Sequence, residues 1–358
     1  MNSTTLNTER AYAFKHKNSV LQQSSSGGAF TAIVDAVYSL TEKNWGGVDK
    51  PVVYGVAFDE NFNVIHKAAY TKAECESFRG SKYVQSDLGS IYSEIMQNLS
   101  DGKVILFTGT PCQVAALRSF LLQKKIDLSN IFMVDIICHG TPNKKIWKDY
   151  VDFLEKKYGS KLVDFSFRHK RTAWKGYPVM VEFENGTKRI NKHDISSYIS
   201  LFRTNLPIRK PCFNCKFPGN YVSDLTIGDF WGIEFDIPKF PTKGGVSLII
   251  NHTYKGEKII SEIEEMIKYS MNDKDCGVPR IEMCQSIDYK KHNHNLIAAT
   301  SIPKQYDEFW DDYENKGFEF IIKKYGGYNI KGKVKFKFKN IIRRTGLLSL
   351  GKKMLKKA

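Results

Sequence analysis

Residues 103–123, KVILFTGTPCQVAALRSFLLQ, pass from a short β-branched apolar run through a tight turn into apolar residues at helical spacing. The pattern predicts a strand, a turn and a helix in succession. Cys112 then sits at the carboxyl end of the strand, where open α/β sheets gather ligands, because the N–H groups at a helix start are unpaired and face the crevice. Pro111 suits the first helical turn, having no N–H to lose. Taken alone, Cys112 reads equally as a buried thiol filling a small hole.

The same arrangement recurs at residues 131–159, IFMVDIICHGTPNKKIWKDYVDFLEKKYG, where Cys138 occupies the turn and an amphipathic helix starts near Asn143. Two such strands lying parallel in one sheet bring both thiols to one edge. Residues 209–234, RKPCFNCKFPGNYVSDLTIGDFWGIE, add Cys212 and Cys215 as a C-x-x-C, whose spacing lets both sulfurs face one metal centre. Four candidate ligands therefore lie in three segments. Cys75, Cys276 and Cys284 stand outside any motif and read as unligated thiols.

The chain has 358 residues, 42% of them hydrophobic, enough to bury a full core without disulfides. Its seven cysteines, odd in number and widely spaced, and the absence of a signal-peptide-like start predict a reducing cytoplasm. Thiolates there are free to hold zinc or an iron–sulfur cluster. No run approaches membrane-spanning length. The net charge of +16 is mostly a tail property: residues 330–358 carry eleven Lys and Arg and no acid, leaving +5 for the rest. Their interleaved apolar residues suit either a helix lying on anionic lipid or a solvated basic tail docked loosely on the domain. Nucleic acid is not an expected partner, since no readout module is visible.

The predicted class is α/β, or α+β: mixed sheets with flanking helices, cysteines at the carboxyl ends of strands, and a basic helical C-terminal tail. Residues 1–20 read as a polar N-terminal segment, 21–300 as the main domain and 301–358 as a helical, basic extension. VVYGVAF and VIHKAAY read as strands joined by the turn DENFN, SLIINH as a strand, GEKIISEIEEMIKYS as a helix, and ENGT as a turn inside a β-rich stretch.

The run Ser24–Gly28, SSSGG, precedes a helix, where its glycines and hydroxyls would let backbone N–H groups approach a phosphate; such runs are also ordinary turns and caps. In Phe78–Asp87, FRGSKYVQSD, Arg79 and Lys82 would neutralise a pyrophosphate and Tyr83 would pack on a planar ring, or all three are surface residues. Arg168 and Lys170 alternate onto one strand face and meet either an anionic ligand or water. Asp224 and Asp229 would orient ligands or pair with these cations. His139, beside Cys138, either passes a proton to substrate or caps its turn.

The segments SSSGGAF, FRGSKYVQS, GTPCQVAAL, VDIICHGTP, FRHKRTAW and CFNCKFPGNYVSDLTIGDFWGI, in that order, resemble the coenzyme F420 hydrogenase/dehydrogenase beta subunit family over roughly residues 12–235. The motifs are specific in combination. The resemblance implies a flavin- and iron–sulfur-dependent oxidoreductase with FAD beside a 4Fe-4S cluster. Cys112, Cys138, Cys212 and Cys215 match the cluster ligands; Ser25, Ser26, Gly27, Gly28, Ser81, Lys82, Tyr83, Gln85 and Thr110 match flavin-holding segments; His139, Arg168 and Lys170 stand as the catalytic candidates. The implied partners are a ferredoxin-like one-electron donor, or a deazaflavin, and an unidentified small-molecule substrate. Many bacterial members start with a two-cluster ferredoxin module, which this sequence lacks, so any relay is expected from a separate protein. Two alternatives remain: a structural four-cysteine zinc protein, and a non-redox accessory protein of surface-polysaccharide biosynthesis, for which a membrane-near basic tail is apt.

Overall fold

The computed structural model describes residues 5–44, 50–170, 178–217, 219–270, 279–285, 289–293 and 301–344. The strands are β1 (Thr5–Lys15), β2 (Val52–Phe58), β3 (Val64–Ala69), β4 (Ile105–Gly109), β5 (Ile131–Ile136), β6 (Leu162–Ser166), β7 (Met180–Phe183), β8 (Lys188–Ile190), β9 (Leu225–Asp229), β10 (Ser247–Thr253) and β11 (Arg280–Cys284). Eight of them form one mixed sheet in the order β11-β1-β10-β9-β5-β4-β2-β3, and β6, β7 and β8 form a small second sheet. The α/β class and mixed sheets expected from the sequence are observed.

Two compact units divide the chain. The first comprises 1–144, 166–178 and 209–301, and the second 145–165, 179–208 and 302–358. Residues 1–20 group with the first unit, and the sequence-based division at residue 300 falls beside the unit boundary between Ser301 and Ile302. The C-terminal stretch shares a unit with two internal segments, a grouping made by packing across the chain that no local composition shift announces.

In the first unit, β2, β4, β5 and β9 run parallel, while β3, β10, β1 and β11 are antiparallel additions at either side. Alternate residues of β4 and β5 enter cores on opposite faces. Leu106, Phe132 and Val134 pack with helices Ala29–Asn44 and Tyr254–Ser270, whereas Ile105, Phe107, Ile131 and Met133 pack with helices Ile91–Ser100 and Pro111–Gln123. Helices on both faces explain why these strands read as unbroken apolar runs.

The segment read as a polar N-terminus instead supplies β1, inserted between β10 and β11. Its Tyr12 and Phe14 face one core, its Ala11 and Ala13 another. Pairing such as Tyr12 with Ile249 is non-local, so a sequence window shows only the short AYAF alternation.

The second unit is built on aromatic packing. Trp147 and Tyr150 of helix Lys144–Tyr158 meet Phe165 and Tyr198, with Trp147 edge-on to Phe165 at 4.9 Å between ring centroids. The turn expected at ENGT closes β7 onto β8. Trp147 is 2% exposed, so Trp147→Ala should cost about 3–5 kcal/mol through lost burial and an unfilled cavity, read as a lowered denaturant midpoint in equilibrium unfolding.

Candidate functional site

Two cysteine turns meet at one sheet edge because β4 and β5 pair in parallel register, Gly109 opposite Asp135. Cys112 falls in the first turn of helix Pro111–Gln123 rather than in the preceding turn, with Thr110 as N-cap and Pro111 buried beside it. Thr110 and Gln113 form a reciprocal capping box. Thr110 Oγ1 lies 3.2 Å from Cys112 Sγ, and the backbone N–H of Gly140 donates to Cys138 Sγ at 3.4 Å. Cys212 lies on the short 3₁₀ turn Lys210–Asn214 and Cys215 caps its end, and the segment is tied back to the Cys138 loop. There Arg209 N–H donates to Thr141 O at 3.1 Å, and Thr141 Oγ1 sits 3.9 Å from Cys212 Sγ.

The four thiols are electrostatic neighbours. Burial pushes Cys138 up to about 12; the Gly140 N–H opposes this, and like charge from Cys112, Cys212 and Cys215 adds to it. All four are free thiols; Cys112 and Cys215 are exposed, Cys138 and Cys212 half-buried. Among the described residues, however, no three His, Cys, Asp or Glu side chains close around a single ion. The tight convergence that a lone zinc with bonds of about 2.3 Å demands is therefore not formed. A four-iron cube holds its thiolates at separate corners, farther apart than the ligands of one zinc.

The SSSGG run is a turn leading into helix Ala29–Asn44 and seated on the ends of β1 and β10. A Cβ on Gly27 would lie 2.1 Å from Phe14 O and 2.3 Å from Ser247 N, so only glycine fits; Gly28 has φ +88°. The Ser26 hydroxyl is turned inward and donates to Val246 O at 2.8 Å. Ser25 Oγ accepts from the Ser81 N–H at 2.7 Å, which joins this turn to the GSKYVQS loop. In that loop Lys82 Nζ donates to Ser77 O and Arg79 O. Tyr83 stands edge-on to Phe167 at 5.5 Å, and Gln85 is half-buried. Arg79 Nε donates to Thr31 Oγ1 at the start of the helix.

A short polar chain links this loop to the first cysteine: Gln113 Nε2 donates to Ser86 Oγ at 2.9 Å, its Oε1 accepts from Thr110 N at 3.0 Å, and Thr110 reaches Cys112. Gln113 and Ser86 are absent from the sequence-based candidates; the signal available for Gln113 is the T-x-x-Q capping pattern.

Arg168 is buried and holds Asp229 through both guanidinium ends, NH1 to Oδ2 at 2.5 Å and NH2 to Oδ1 at 3.1 Å, with its guanidinium over the Trp231 ring. Lys170 Nζ donates to Leu21 O at 2.8 Å and also to Ser26 O, bracing the SSSGG turn. His139 is half-buried beside Cys138. Asp224 accepts from Met133 N and Thr253 Oγ1 and belongs to the sheet interior. Arg171 and Cys276 lie outside the described residues.

The cysteine turns and the glycine-rich loop thus lie along one edge of the large sheet. Residues 102–276, just under half of the chain, match the family model for the C-terminal part of the coenzyme F420 hydrogenase/dehydrogenase beta subunit, and over this stretch the chain is similar to that family. Among solved structures, a chain of the F420-reducing NiFe hydrogenase complex from Methanosarcina barkeri is similar at 18% identity, covering 88% of this chain and 94% of that one with a TM-score of 0.49. No curated protein matches.

Two measurements check this geometry. Asp229→Ala leaves Arg168 charged and buried without its partner, which should cost about 3–5 kcal/mol and lower the thermal midpoint accordingly. Burial also pushes both Lys82 and Lys170 down to about 7. The unfolded chain therefore binds more protons than the folded one between about pH 7 and the ordinary lysine range, so these two groups make stability rise with pH there. Between pH 7 and 9, the double variant Lys82→Met/Lys170→Met should show a flatter pH–stability curve by urea titration than the parent.

Proposed function

We propose that the chain is a flavin- and iron–sulfur-dependent oxidoreductase passing electrons between a one-electron donor of the ferredoxin type, or a deazaflavin, and a small substrate. The observation that carries this reading is the parallel register of β4 and β5, which sets the Cys112 and Cys138 turns at one edge, with the C-x-x-C tied to the Cys138 loop through Arg209 and Thr141 and Cys112 joined through Thr110, Gln113 and Ser86 to the loop beside the glycine-rich turn. The family of residues 102–276 supports the redox class. In this reading the four cysteines hold a 4Fe-4S cluster, which supplies single-electron transfer beside a two-electron flavin. The chain's own contribution is to fix and tune the thiolates: Gly140 N–H and the Thr110 and Thr141 hydroxyls stand at hydrogen-bond range of three sulfurs.

For FAD, the turn seated on β1 and β10 by Gly27 and Gly28, its Ser25–Ser81 link to the neighbouring loop, the Arg79 guanidinium and the Lys82 amine would make a cradle for a pyrophosphate, with Tyr83 at its rim. His139 is placed to exchange a proton with substrate. Arg168 and Lys170 are committed to Asp229 and to backbone carbonyls, so they act as positioning residues behind the turn.

Anaerobic purification with iron, sulfide and flavin analysis tests this. The parent should be brown, with about four irons and one flavin per chain; Cys138→Ser should lose the iron band while Cys75→Ser, at a buried unligated thiol, keeps it. Lys82→Glu should reduce flavin content at least about tenfold and leave iron unchanged. A colourless protein carrying one zinc would overturn the redox reading.

We also propose that the helix Ile330–Arg344 rests on anionic lipid, which would place the enzyme at the inner face of the cell membrane. No helix among the described residues is long and apolar enough to cross a membrane. On this helix Ile330, Val334 and Phe338, spaced by four and 83%, 63% and 63% exposed, share one side. Lys331 and Lys335 flank them on one hand, Lys333 and Lys337 on the other. The opposite side carries Phe336, 5.6 Å from the His193 ring, and Asn340, which accepts from Asn191 at 3.3 Å. Part of the tail is thus packed on its own unit. An apolar stripe between lysine rows suits the headgroup boundary, each cation adding about 1 kcal/mol. Val334→Asp/Phe338→Asp should abolish co-sedimentation with vesicles containing phosphatidylserine at low salt, and equal binding by parent and variant would remove this helix as the anchor.

A further inference from the structure

Across the large sheet a row of polar side chains runs perpendicular to the strands, through an interior otherwise filled by Leu, Ile and Val. Asp135 on β5 is fully buried, and Thr226 on β9, its register partner, is equally buried. Thr226 Oγ1 bonds Asp135 Oδ1 and lies 2.9 Å from His252 Nε2 on β10. His252 Nδ1 in turn lies 3.3 Å from Glu9 Oε1 on β1. Glu9 is partly exposed and also bonds Lys290 and, at 3.4 Å, Tyr289 OH. Tyr221 stacks flat on the imidazole at 4.5 Å, which fixes the ring plane. The row therefore begins at solvent and ends inside, three residues before Cys138 and opposite Gly109, beside both cysteine turns.

Its inner end is unsatisfied. Asp135 Oδ2 meets no hydrogen bond of ordinary geometry among the described residues, and the neighbouring Ser223 hydroxyl, close enough to lower the Asp135 pKa, makes none either. A buried carboxylate left half-bonded is costly, and burial accordingly pushes Asp135 up to about 6, against the opposing effects of Thr226, His252 and Ser223. Such a group is retained where it gains or loses a proton.

We propose that Glu9, His252, Thr226 and Asp135 form a proton relay connecting solvent to the buried strand end beside the Cys112 and Cys138 turns. The step balances within the row. His252 gives its Nε2 proton to Thr226 Oγ1 while the threonine hydroxyl proton passes to Asp135 Oδ1. The imidazolium–carboxylate pair thereby becomes neutral imidazole and carboxylic acid, with Nδ1–H still donated to Glu9. The step runs back by the same path: Asp135 returns its proton through Thr226 to His252 Nε2, and the Nδ1 proton leaves to solvent through Glu9. The charged and titratable groups facing the row are Lys290 and Tyr289 on the outer side, Tyr221 over the ring and Cys284 near Tyr289. What the relay serves, proton uptake coupled to electron uptake at the site, rests on the redox reading above; its existence does not.

The test uses the full chain without cofactor, so its failure is separate from failure of the redox reading. Nitrogen-15 NMR of the His252 ring follows its titration and the exchange of its Nε2 hydrogen with D2O. Asp135→Asn should lower the proton affinity of His252 about tenfold, a shift of about one pH unit. Thr226→Val should uncouple the two, whereas Thr226→Ser restores the parent curve. Glu9→Gln, at the accessible end and least disruptive to folding, should slow exchange of the buried hydrogen about tenfold. An unshifted His252 titration in Asp135→Asn, a Thr226→Ser variant behaving like Thr226→Val, or unchanged exchange in Glu9→Gln would each overturn the proposal.

Discussion

The parallel pairing of β4 with β5 is the constraint from which the site follows. Evenly spaced parallel hydrogen bonds hold Gly109 opposite Asp135, and each strand leaves the sheet into a turn that carries one cysteine. Because both faces of these strands are buried under helices, a slip of register would move every side chain to the wrong face. The thiols thus inherit the rigidity of the core. The C-x-x-C is tied to the Cys138 loop by the bond from Arg209 N–H to Thr141 O, so backbone brings a segment distant in sequence beside the two turns.

The same sheet accommodates two kinds of buried polarity. Arg168 with Asp229 is a closed, bidentate pair whose value is positional: it anchors the segment from which Lys170 reaches the glycine-rich turn. The row from Glu9 to Asp135 is open at both ends, one carboxylate toward solvent and one oxygen without a hydrogen bond of ordinary geometry inside. A closed pair stabilises a fixed arrangement, while an open chain allows a charge to relocate.

Binding surfaces here are composite. The glycine-rich turn and the GSKYVQS loop meet through a single serine contact, Ser81 N–H to Ser25 Oγ, and the loop meets Cys112 through Ser86, Gln113 and Thr110. Each link uses a side chain short enough to hold two backbones close, which is why the serines and threonine of these motifs are more informative than their charged neighbours.

Much of this is legible in the chain itself. The strand–turn–helix reading of residues 103–123 and 131–159, the hairpin of β2 and β3, and the helix entered from SSSGG are local patterns of hydrophobic period, proline and glycine, and local physics decides them. Which residues share a face of a strand is equally written in the alternation. What only the tertiary structure decided is everything that depends on partners far along the chain. The segment around AYAF is a strand because β10 lies beside it; residues 301–344 group with two internal stretches; Ser26 turns inward to Val246 O rather than outward to a ligand. Likewise Asp135, Thr226, His252 and Glu9 carry no motif, being separated by up to 243 positions between Glu9 and His252. Long-range contacts are set by how much apolar surface each packing buries, a sum over the whole molecule that no window of sequence contains.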